Sequence, residues 1–375
     1  MEKEYKTCKR CIMDTTDPNI EFDERGYCNH CREAESIFNS EPLCLNPKEK
    51  EERLKKLIDE IKEKGKNKKY DCIIGVSGGA DSSYVAYLTK KLGLRPLAVH
   101  LDNGWDSKLS VTNIERLLKK LGIDLHTHVI DWEEFKDLQL SFLKASTPDS
   151  EIPSDHAIIA ILYKIAAKYN VNYILAGTNT STESILPTAW SHGHYDWKYI
   201  NSIHKKFGKS KLKTYPHLTL LDFFVYNFIK KIKWISILNY VDYKRENAIK
   251  ILKEEMGWEF YGRKHYESIY TKFFQGYILP TKFGFDKRKA HLSSMILSGQ
   301  ITREEALKEI KKDIYPSEEL KQDTDYIINK LGLTKEEFEQ IMALPPKTFW
   351  DYPSHEKSWY FSIGMFFYNL SGKKI

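Results

Sequence analysis

A turn rich in glycine and serine offers the clearest chemistry in the sequence. GVSGGADSSY, residues 75–84, places adjacent glycines, an acid and three serines directly after a short apolar run. Glycines let backbone N–H groups approach an anion, serine hydroxyls add donors, and the following helix presents its positive amino end. The turn lacks the lysine and spacing of GxxxxGK[ST], so it is not a Walker loop. We predict a phosphate site formed by Ser77, Gly78, Gly79, Asp81, Ser82 and Ser83.

Four of the six cysteines form two Cys-x-x-Cys pairs, Cys8 with Cys11 and Cys28 with Cys31. This spacing is typical of a four-cysteine zinc ribbon, in which both pairs reach one tetrahedral ion. Because protein ligands fill all four positions, we expect a structural Zn²⁺ rather than a catalytic one. A redox or iron–sulfur role is the alternative for these thiols. We expect His30, inside the second pair, to be a surface residue rather than a further ligand.

The composition is that of an ordinary globular chain of 375 residues with a net charge of +6. This positive excess is too small to indicate a nucleic-acid partner by itself. The amino terminus lacks the layout of a signal peptide, so we expect a cytoplasmic protein. Charged residues interrupt the apolar window 218–241, which predicts one or two amphipathic core helices, with membrane-surface contact as the alternative.

Short apolar runs alternate with helical periodicity from residue 70 to about 185. The runs KYDCIIGV, RPLAVHLD, LHTHVI and VNYILAG predict strands, and SSYVAYLTKKLG, SVTNIERLLKKLG and SDHAIIAILYKIAAKYN predict helices. This alternation indicates an α/β fold with a parallel sheet, in which ligands bind at the carboxyl ends of the strands. The phosphate-binding turn lies at such an end.

The SGGADS turn resembles the SGGxDS signature of the PP-loop ATP pyrophosphatases, which have an adenine nucleotide alpha hydrolase-like core. Members of this superfamily cleave ATP between its α and β phosphates and form an adenylylated substrate. The resemblance implies adenosine contacts from VHLDNGW, at His100 and Asp102, although either residue could merely cap the strand end. LAGTNTSTES is similar to the GTxxxxE stretch of NAD synthetases. It implies ATP contacts at Gly177 and Thr178, and Mg²⁺ bound by Glu183 and Asp81. A helix N-terminal acid is the alternative role for Glu183.

Motifs along nearly the whole chain resemble the N-acetyl sugar amidotransferase family of bacterial surface-polysaccharide biosynthesis. They are the ribbon, the PP-loop, GWEFYGRKHYES (257–268), TKFFQGYILPTKFGFDKRKAHLS (271–293) and SGQITREEAL (298–307). The resemblance implies that ATP activates the acetamido oxygen of a nucleotide-linked N-acetyl sugar and that ammonia then replaces it. It implies catalytic roles for Ser77, Asp81 and Lys264, and substrate contacts from Asn179, Arg263, Lys264, His265, Lys287, Arg288 and His291. Solvation, or pairing with neighbours such as Glu267 and Asp286, is the alternative for the basic residues.

The sequence offers no glutaminase nucleophile, because four cysteines belong to the ribbon, Cys72 lies in a strand and Cys44 lies in a linker. We therefore predict a separate glutaminase or free ammonia, and the resemblance implies a HisH/HisF-like partner. A PP-loop tRNA thiolase is the nearest rival, but it would need a cysteine pair near ATP and a basic RNA-binding face. A non-catalytic nucleotide sensor is a third possibility.

Four regions are predicted from these patterns. They are a zinc ribbon at 1–45, a helical linker at 46–69, a PP-loop ATP-binding domain at 70–189 and a mainly helical substrate-binding region at 190–375. The stretch WSHGHYDW, residues 190–197, has two histidines but no further ligand cluster beside it. We expect it to form a surface or substrate-side loop rather than a metal site.

Overall fold

A parallel sheet lies at the centre of the chain in a computed structural model that describes residues 4–262 and 266–358. Within these residues the sheet has five strands: β1 Cys72–Gly75, β2 Pro96–Asp102, β3 Asp124–Val129, β4 Tyr173–Ala176 and β5 Lys233–Ser236. Their order is β3-β2-β1-β4-β5, and every neighbouring pair is parallel. Ile73 of β1 pairs with Leu97 on one side and with Ile174 on the other. The predicted α/β fold and its first four strands are confirmed.

Helices surround the sheet and form most of the region after β4. In the described residues they are α1 Asn29–Phe38, α2 Pro47–Gly65, α3 Ala80–Lys91, α4 Lys108–Leu121, α5 Trp132–Ala145, α6 Ile152–Lys168, α7 Thr180–Glu183, α8 Trp197–Phe207, α9 Leu220–Phe224, α10 Arg245–Ile251, α11 Ile269–Phe273, α12 Arg288–Leu297, α13 Arg303–Ile310, α14 Ser317–Leu331 and α15 Lys335–Ala343. Wider π-helical turns extend α9 to Ile229, α10 to Met256 and α11 to Phe283. Short 3-10 turns lie at Ile237–Tyr240 and Phe349–Asp351.

Apolar residues cover both faces of the sheet. On one face, Ile74 packs with side chains of α2, α3, α4 and α10, and on the other, Ile73 packs with α6. This double burial explains why β1, β2 and β4 are mostly apolar runs, whereas the edge strand β3 is largely exposed and contains polar residues. A third core joins the four-cysteine segment to α5, α8 and the helices after α10. Nowhere in the described chain does a helix combine the length and apolarity needed to cross a membrane.

Of the amphipathic core helices predicted over 218–241, the structure has a helix in the first half only, and that helix has no fully buried residue. The π-helical extension of α9 ends at Ile229, and β5 then pairs with the edge of β4, from Tyr173 opposite Lys233 to Ala176 opposite Ser236. Trp234 of β5 stacks on Tyr163 with ring centroids 6.1 Å apart. The free edge of β4 determines this short strand through long-range hydrogen bonds, which local periodicity does not register.

Candidate active site

A cavity of about 360 Å³ opens at the carboxyl ends of β1, β2 and β4. This is the edge at which parallel sheets bind ligands. The cavity is lined by residues that follow each strand: Ser77, Gly79, Ala80, Asp81 and Ser82 after β1, His100, Asn103 and Asp106 at and after β2, and Gly177, Thr178 and Glu183 after β4. The structure therefore brings most of the predicted nucleotide-binding residues to one place.

The turn after β1 is fixed in shape without a ligand. Gly78 has φ +78°, and a Cβ there would lie 2.5 Å from the Ser110 carbonyl oxygen, so only glycine fits. The Ser82 hydroxyl accepts a hydrogen bond from Ser77 N at 3.2 Å and donates to Gly79 O at 3.2 Å. The amino end of α3 consequently points into the cavity as a preformed anion site. Gly78 and Ser83 support this turn but do not line the cavity.

The Asp81 carboxylate is held in the cavity by a tyrosine from the other side. Tyr243 donates its hydroxyl hydrogen bond to Asp81 Oδ1. Burial and the neighbouring negative charge raise the pKa of Tyr243, so its hydroxyl stays protonated and remains a donor. Asp81 is therefore positioned by tertiary contact as well as by its place in the first turn of α3.

The described parts of the segment 257–268, residues 257–262 and 266–268, contact the phosphate turn and the start of α4. Trp258 Nε1 donates to Gly78 O at 3.0 Å, and the Tyr261 hydroxyl accepts from Ala80 N at 3.0 Å. At the other end of the segment, Glu267 O accepts from Ser107 N at 2.9 Å, and both Tyr261 and Glu267 line the cavity. Three predicted substrate residues of this segment, Arg263, Lys264 and His265, lie outside the described residues.

His100 and Asp102 differ in their surroundings. His100 lines the cavity, but its Nδ1 lies 2.9 Å from Val76 O and its Nε2 lies 3.1 Å from Asp106 Oδ2. Burial favours the neutral ring, yet these partners raise the pKa of His100. Asp102 does not line the cavity and instead accepts from Gly104 N at 2.9 Å, as a strand-end cap does. His100 thus joins the β1 turn to the loop after β2.

The loop after β4 contacts the start of α3. A Cβ at Gly177 would lie 3.1 Å from Ser82 N, so this backbone approaches the phosphate turn closely. Asn179 does not line the cavity, and its Oδ1 caps α7 by accepting from Thr182 N at 3.0 Å. The Glu183 carboxylate lines the cavity and also accepts from Asn179 N at 3.3 Å. Glu183 therefore combines the cavity position with the capping role given as its alternative.

The three predicted basic residues near α12 separate in the structure. Lys287 lines the cavity, whereas Arg288 and His291 do not. Arg288 forms an ion pair with Asp286 at 2.8 Å and donates to the carbonyls of Ile310 and Lys312. His291 Nδ1 lies 2.9 Å from Thr182 O. Both side chains support the packing of α12, as the alternative of pairing with neighbours allowed.

Lys287 lies near several carboxylates, of which Glu151, Asp155 and Glu183 also line the cavity. Burial alone would lower the pKa of Lys287, but the carboxylates of Asp149, Glu151, Asp155 and Glu183 raise it, so the ammonium stays charged. Glu151 and Asp155 line the same cavity, and Gln275 Nε2 donates to Glu151 Oε2 at 2.9 Å. Residues 149–155, the acidic stretch before α6, are functional candidates that the sequence analysis did not single out. Their only signal was a cluster of acids and a proline at a helix start.

The stretch 190–197, predicted to be a surface or substrate-side loop, is partly buried and lies beside the acidic residues near the cavity. Trp190 and Ser191 are buried, and His194 Nε2 lies 3.0 Å from Ser191 Oγ, 3.6 Å from Asp149 and 3.4 Å from Asp155. Burial opposes the charge of this ring, but the two carboxylates raise the pKa of His194 to about 10. Its positive charge helps to lower the pKa of Asp149 to about 2.

We expect the His194 charge to make stability depend on pH. An unfolded histidine titrates near 6.5, so the stabilisation is complete below about pH 6.5 and is lost as pH rises towards about 10. The slope for one proton is at most about 1.4 kcal/mol per pH unit. Urea unfolding at pH 7 and pH 9 should show a smaller loss of stability in His194→Gln than in the wild type. His192→Gln is the control, and equal losses in all three proteins would contradict the assignment.

The four ribbon cysteines form a buried cluster. Their sulfurs lie within 4.8 Å of one another, with Sγ–Sγ distances of 3.7 Å for Cys8–Cys31, 3.7 Å for Cys11–Cys28 and 3.6 Å for Cys28–Cys31. Ligands about 2.3 Å from a tetrahedral ion would lie about 3.8 Å apart, so the thiols fit Zn²⁺. The expectation of a surface His30 is wrong. This histidine is buried, and its Nε2 lies 2.6 Å from Asp17 Oδ2 because the short ribbon uses it as core.

The cysteine cluster connects to the cavity through α12. Ile12 N donates to Ser293 Oγ at 3.2 Å, and Lys289 forms an ion pair with Asp14. On the opposite side of α12, Ser294 Oγ accepts from Ile185 N at 3.1 Å, two residues after Glu183. The ribbon is therefore a support for the helix that begins beside Lys287.

Arg303, the first residue of α13, links this helix to the ribbon. Its guanidinium group donates to the carbonyl oxygens of Cys8 and Cys11 at 3.0 Å each. Hydrogen bonds to charged groups contribute about 1.5–3 kcal/mol. We expect Arg303→Ala to lower the free energy of unfolding by about this amount, measured by urea denaturation. Lys308→Ala, at an exposed position of the same helix, should have no measurable effect. Equal stability of the two variants would show that this contact is unimportant.

Comparisons with known proteins match two separate parts of the chain, and both parts contain residues that line the cavity. Residues 50–215 match the NAD synthase family, and residues 267–365 match the family described as LPS biosynthesis protein WbpG-like, C-terminal domain. The first match contains the phosphate turn and the loops after β2 and β4. The second contains α11, α12 and Lys287. Residues from both matched regions therefore line the cavity.

Individual relatives are more distant. A tRNA-specific 2-thiouridylase of Fusobacterium nucleatum is 30% identical over 118 residues, which cover 30% of this chain and 34% of the relative. The chain thus spans about a third of that enzyme. An uncharacterized protein of Methanocaldococcus jannaschii is 24% identical over 312 residues, 78% of this chain and 94% of the relative.

The structural comparison includes the NH3-dependent NAD synthetase of Campylobacter jejuni, solved in complex with nitrate. It is 20% identical, with 56% of this chain and 93% of that chain covered and a TM-score of 0.29.

The two family matches are consistent with the phosphate turn and the four-cysteine cluster seen in the structure. Residues 50–215 therefore form an NAD synthase-like domain that contains the phosphate turn, and residues 267–365 belong to a WbpG-like carboxyl-terminal domain.

Proposed function

We propose that this protein is an AMP-forming amidotransferase that converts the acetamido group of a nucleotide-linked N-acetyl sugar into an acetamidino group during bacterial surface-polysaccharide biosynthesis. The observation that carries the proposal is the shared cavity. A phosphate turn of the NAD synthase-like domain lines one side of it, and residues of the WbpG-like domain line the other. A nucleotide on the first side and an acceptor on the second would meet within one cavity.

ATP fits the first side because donors converge there. The amides at the start of α3 and the hydroxyls of Ser77 and Ser82 suit the β and γ phosphates. Asp81 and Glu183 offer the carboxylate oxygens that Mg²⁺ prefers, and both line the cavity. Mg²⁺ bound by these residues would neutralise phosphate charge.

The proposed reaction has two steps. The acetamido oxygen attacks the α-phosphorus of ATP, the bond from that phosphorus to the bridging oxygen breaks, and pyrophosphate leaves with the electron pair. Ammonia then adds to the carbon of the O-adenylyl imidate, and AMP leaves with the former acetamido oxygen. The carbon keeps its sugar-bound nitrogen, gains one from ammonia, and ends as an amidinium ion. The protein contributes mainly orientation and charge stabilisation.

Residues on the second side suit the acceptor. The Lys287 ammonium can donate to an acetamido or diphosphate oxygen, because the pKa shift keeps it charged. Asn103 and Ser154 of the NAD synthase-like domain line the same cavity, are hydrogen bonded to each other at 3.1 Å, and offer neutral donors and acceptors for sugar hydroxyls. Arg263, Lys264 and His265 remain proposed substrate residues on the strength of the motif alone.

Ammonia would come from a separate protein or from solution. No cysteine of the described chain lines the cavity, so a thiol nucleophile for glutamine hydrolysis is not available there. We therefore propose a HisH/HisF-like glutaminase as the partner that supplies ammonia to the open cavity.

Mass spectrometry of candidate nucleotide sugars tests this proposal. With enzyme, ATP, Mg²⁺ and ammonium, a UDP- or CMP-linked N-acetyl sugar should lose about one dalton, as oxygen is replaced by NH. A matched sugar nucleotide with a free amine in place of the acetamido group should stay unchanged. Consumption of ATP with no mass change in any acetamido sugar would contradict the proposal.

Thiolation of tRNA is a second candidate, because a curated tRNA-specific 2-thiouridylase matches part of the chain. The cavity lining argues against it, since within the described residues it contains no cysteine to relay sulfur. AMP release that depends on tRNA, and not on a sugar nucleotide, would favour this alternative.

A further inference from the structure

Arg245 lies at the start of α10, close to the phosphate turn. It is the first residue of α10, a helix that packs against α3, and its backbone N donates to Gln300 Oε1 at 3.1 Å. Its side chain lines the same cavity as Gly79, Asp81 and Ser82. No sequence motif marks this residue, because its approach to the turn depends on the packing of α10 against α3.

Two buried N–H donors of the Arg245 guanidinium group have no hydrogen-bond acceptor among the described residues. Nε and Nη2 of Arg245 are buried, and no described residue accepts a hydrogen bond from either atom. The group lies over the Phe260 ring at 5.9 Å, a contact that leaves these N–H groups unsatisfied. Unpaired buried donors, above all charged ones, are strongly unfavourable, so such a group in a cavity indicates an anionic ligand.

Two tyrosines that contact the phosphate turn are also influenced by the positive charge of Arg245. Tyr243 donates to Asp81, and Tyr261 accepts from Ala80 N, the first amide of α3. Burial raises the pKa of both phenols, and the positive charge of Arg245 opposes that rise in each case. Together with the packing of α10 against α3, these effects place Arg245 near both hydroxyls.

We propose that Arg245 binds the diphosphate end of ATP and holds it as pyrophosphate leaves. The proposal rests on the proposed function and adds a residue to it. When the bond between the α-phosphorus and the bridging oxygen breaks, the electron pair and negative charge pass to pyrophosphate. A guanidinium fork can stabilise that charge with two parallel hydrogen bonds.

The diphosphate of a sugar nucleotide presents the same chemistry, so position decides between the two sources. Arg245 lies two residues after Tyr243, which donates to Asp81 of the turn, and it begins the helix that packs against α3. Lys287 instead lies at the start of α12, in the WbpG-like domain. The ATP side is the nearer of the two to Arg245. Binding experiments with separate ligands distinguish them.

Calorimetric titration of Arg245→Met and Arg245→Lys with inorganic pyrophosphate, ATP, AMP and UDP, all with Mg²⁺, tests the proposal. We expect Arg245→Met to bind pyrophosphate and ATP about 10- to 100-fold more weakly, with AMP and UDP within about twofold of the wild type. Arg245→Lys should show a smaller loss, because it keeps the charge but not the fork. Lys250→Ala, exposed on the same helix, is the control and should bind all four ligands normally.

The remaining outcomes overturn the proposal. They are unchanged pyrophosphate binding in both variants, a selective loss of UDP binding, and equal losses for all four ligands. If Arg245→Met fails to fold, Arg245→Lys decides, and wild-type pyrophosphate affinity in that variant counts against the assignment. No acceptor sugar is present, so these results are independent of whether amidine formation is observed.

Discussion

Asp81→Asn should abolish AMP formation while leaving the fold intact. Asp81 is the acid of the phosphate turn, and Tyr243 holds its carboxylate in the cavity. Asparagine keeps the shape and can still accept from Tyr243, but it removes the negative charge proposed to bind Mg²⁺. Even outer-shell partners of metal ligands contribute 10- to 100-fold to activity, so we expect a loss greater than about 100-fold.

Chromatographic measurement of AMP, with thermal unfolding as the check on the fold, provides the test. Glu246→Gln is a matched control, since it removes one carboxylate from an exposed position on α10. This control should retain wild-type turnover. Wild-type turnover in Asp81→Asn would remove Asp81 from the metal site and from the catalytic scheme.

Cys28→Ser should cause the largest loss of stability. Its sulfur lies 3.7 Å from that of Cys11 and 3.6 Å from that of Cys31, so one substitution opens the tetrahedral site. Zinc binding supplies on the order of 10 kcal/mol of folding free energy in small zinc modules. The effect should extend beyond the ribbon, because Ile12 and Asp14 contact α12, and α12 supports the loop that contains Glu183.

Zinc content by elemental analysis and the melting temperature should therefore fall together in this variant. Cys44→Ser is the control, because Cys44 is exposed and outside the metal cluster, and it should change neither quantity. A soluble Cys28→Ser protein without zinc but with the wild-type melting temperature would contradict the structural role of the cluster.

Local patterns predicted the parts of this protein that form locally. Strands β1, β2 and β4 are mostly apolar runs with polar or glycine ends, and the phosphate turn and cysteine pairs depend on residues close together in sequence. Short-range spacing determines their geometry, since a turn or a Cys-x-x-Cys loop needs few outside contacts. For the same reason the ribbon cysteines could be assigned before the arrangement of the helices was known.

Several residues that reach the cavity through tertiary packing were not predicted. Tyr261 contacts Ala80 across a separation of 181 residues, and Arg245 depends on how α10 packs against α3. Arg288 shows the converse case, because a basic residue in a promising motif is paired with Asp286 two positions away. Charge and spacing alone do not distinguish a cavity residue from one that supports a neighbouring helix.

Transfer of the acetamido oxygen is the most direct test of the central claim, which is that the turn at residues 77–82 holds ATP so that a carbonyl oxygen can attack its α-phosphorus. The substrate is a nucleotide-linked N-acetyl sugar with ¹⁸O in the acetamido carbonyl, incubated with ATP, Mg²⁺ and ammonium. The account predicts that the label appears in AMP and that unlabelled pyrophosphate is released. Labelled orthophosphate together with ADP would contradict it.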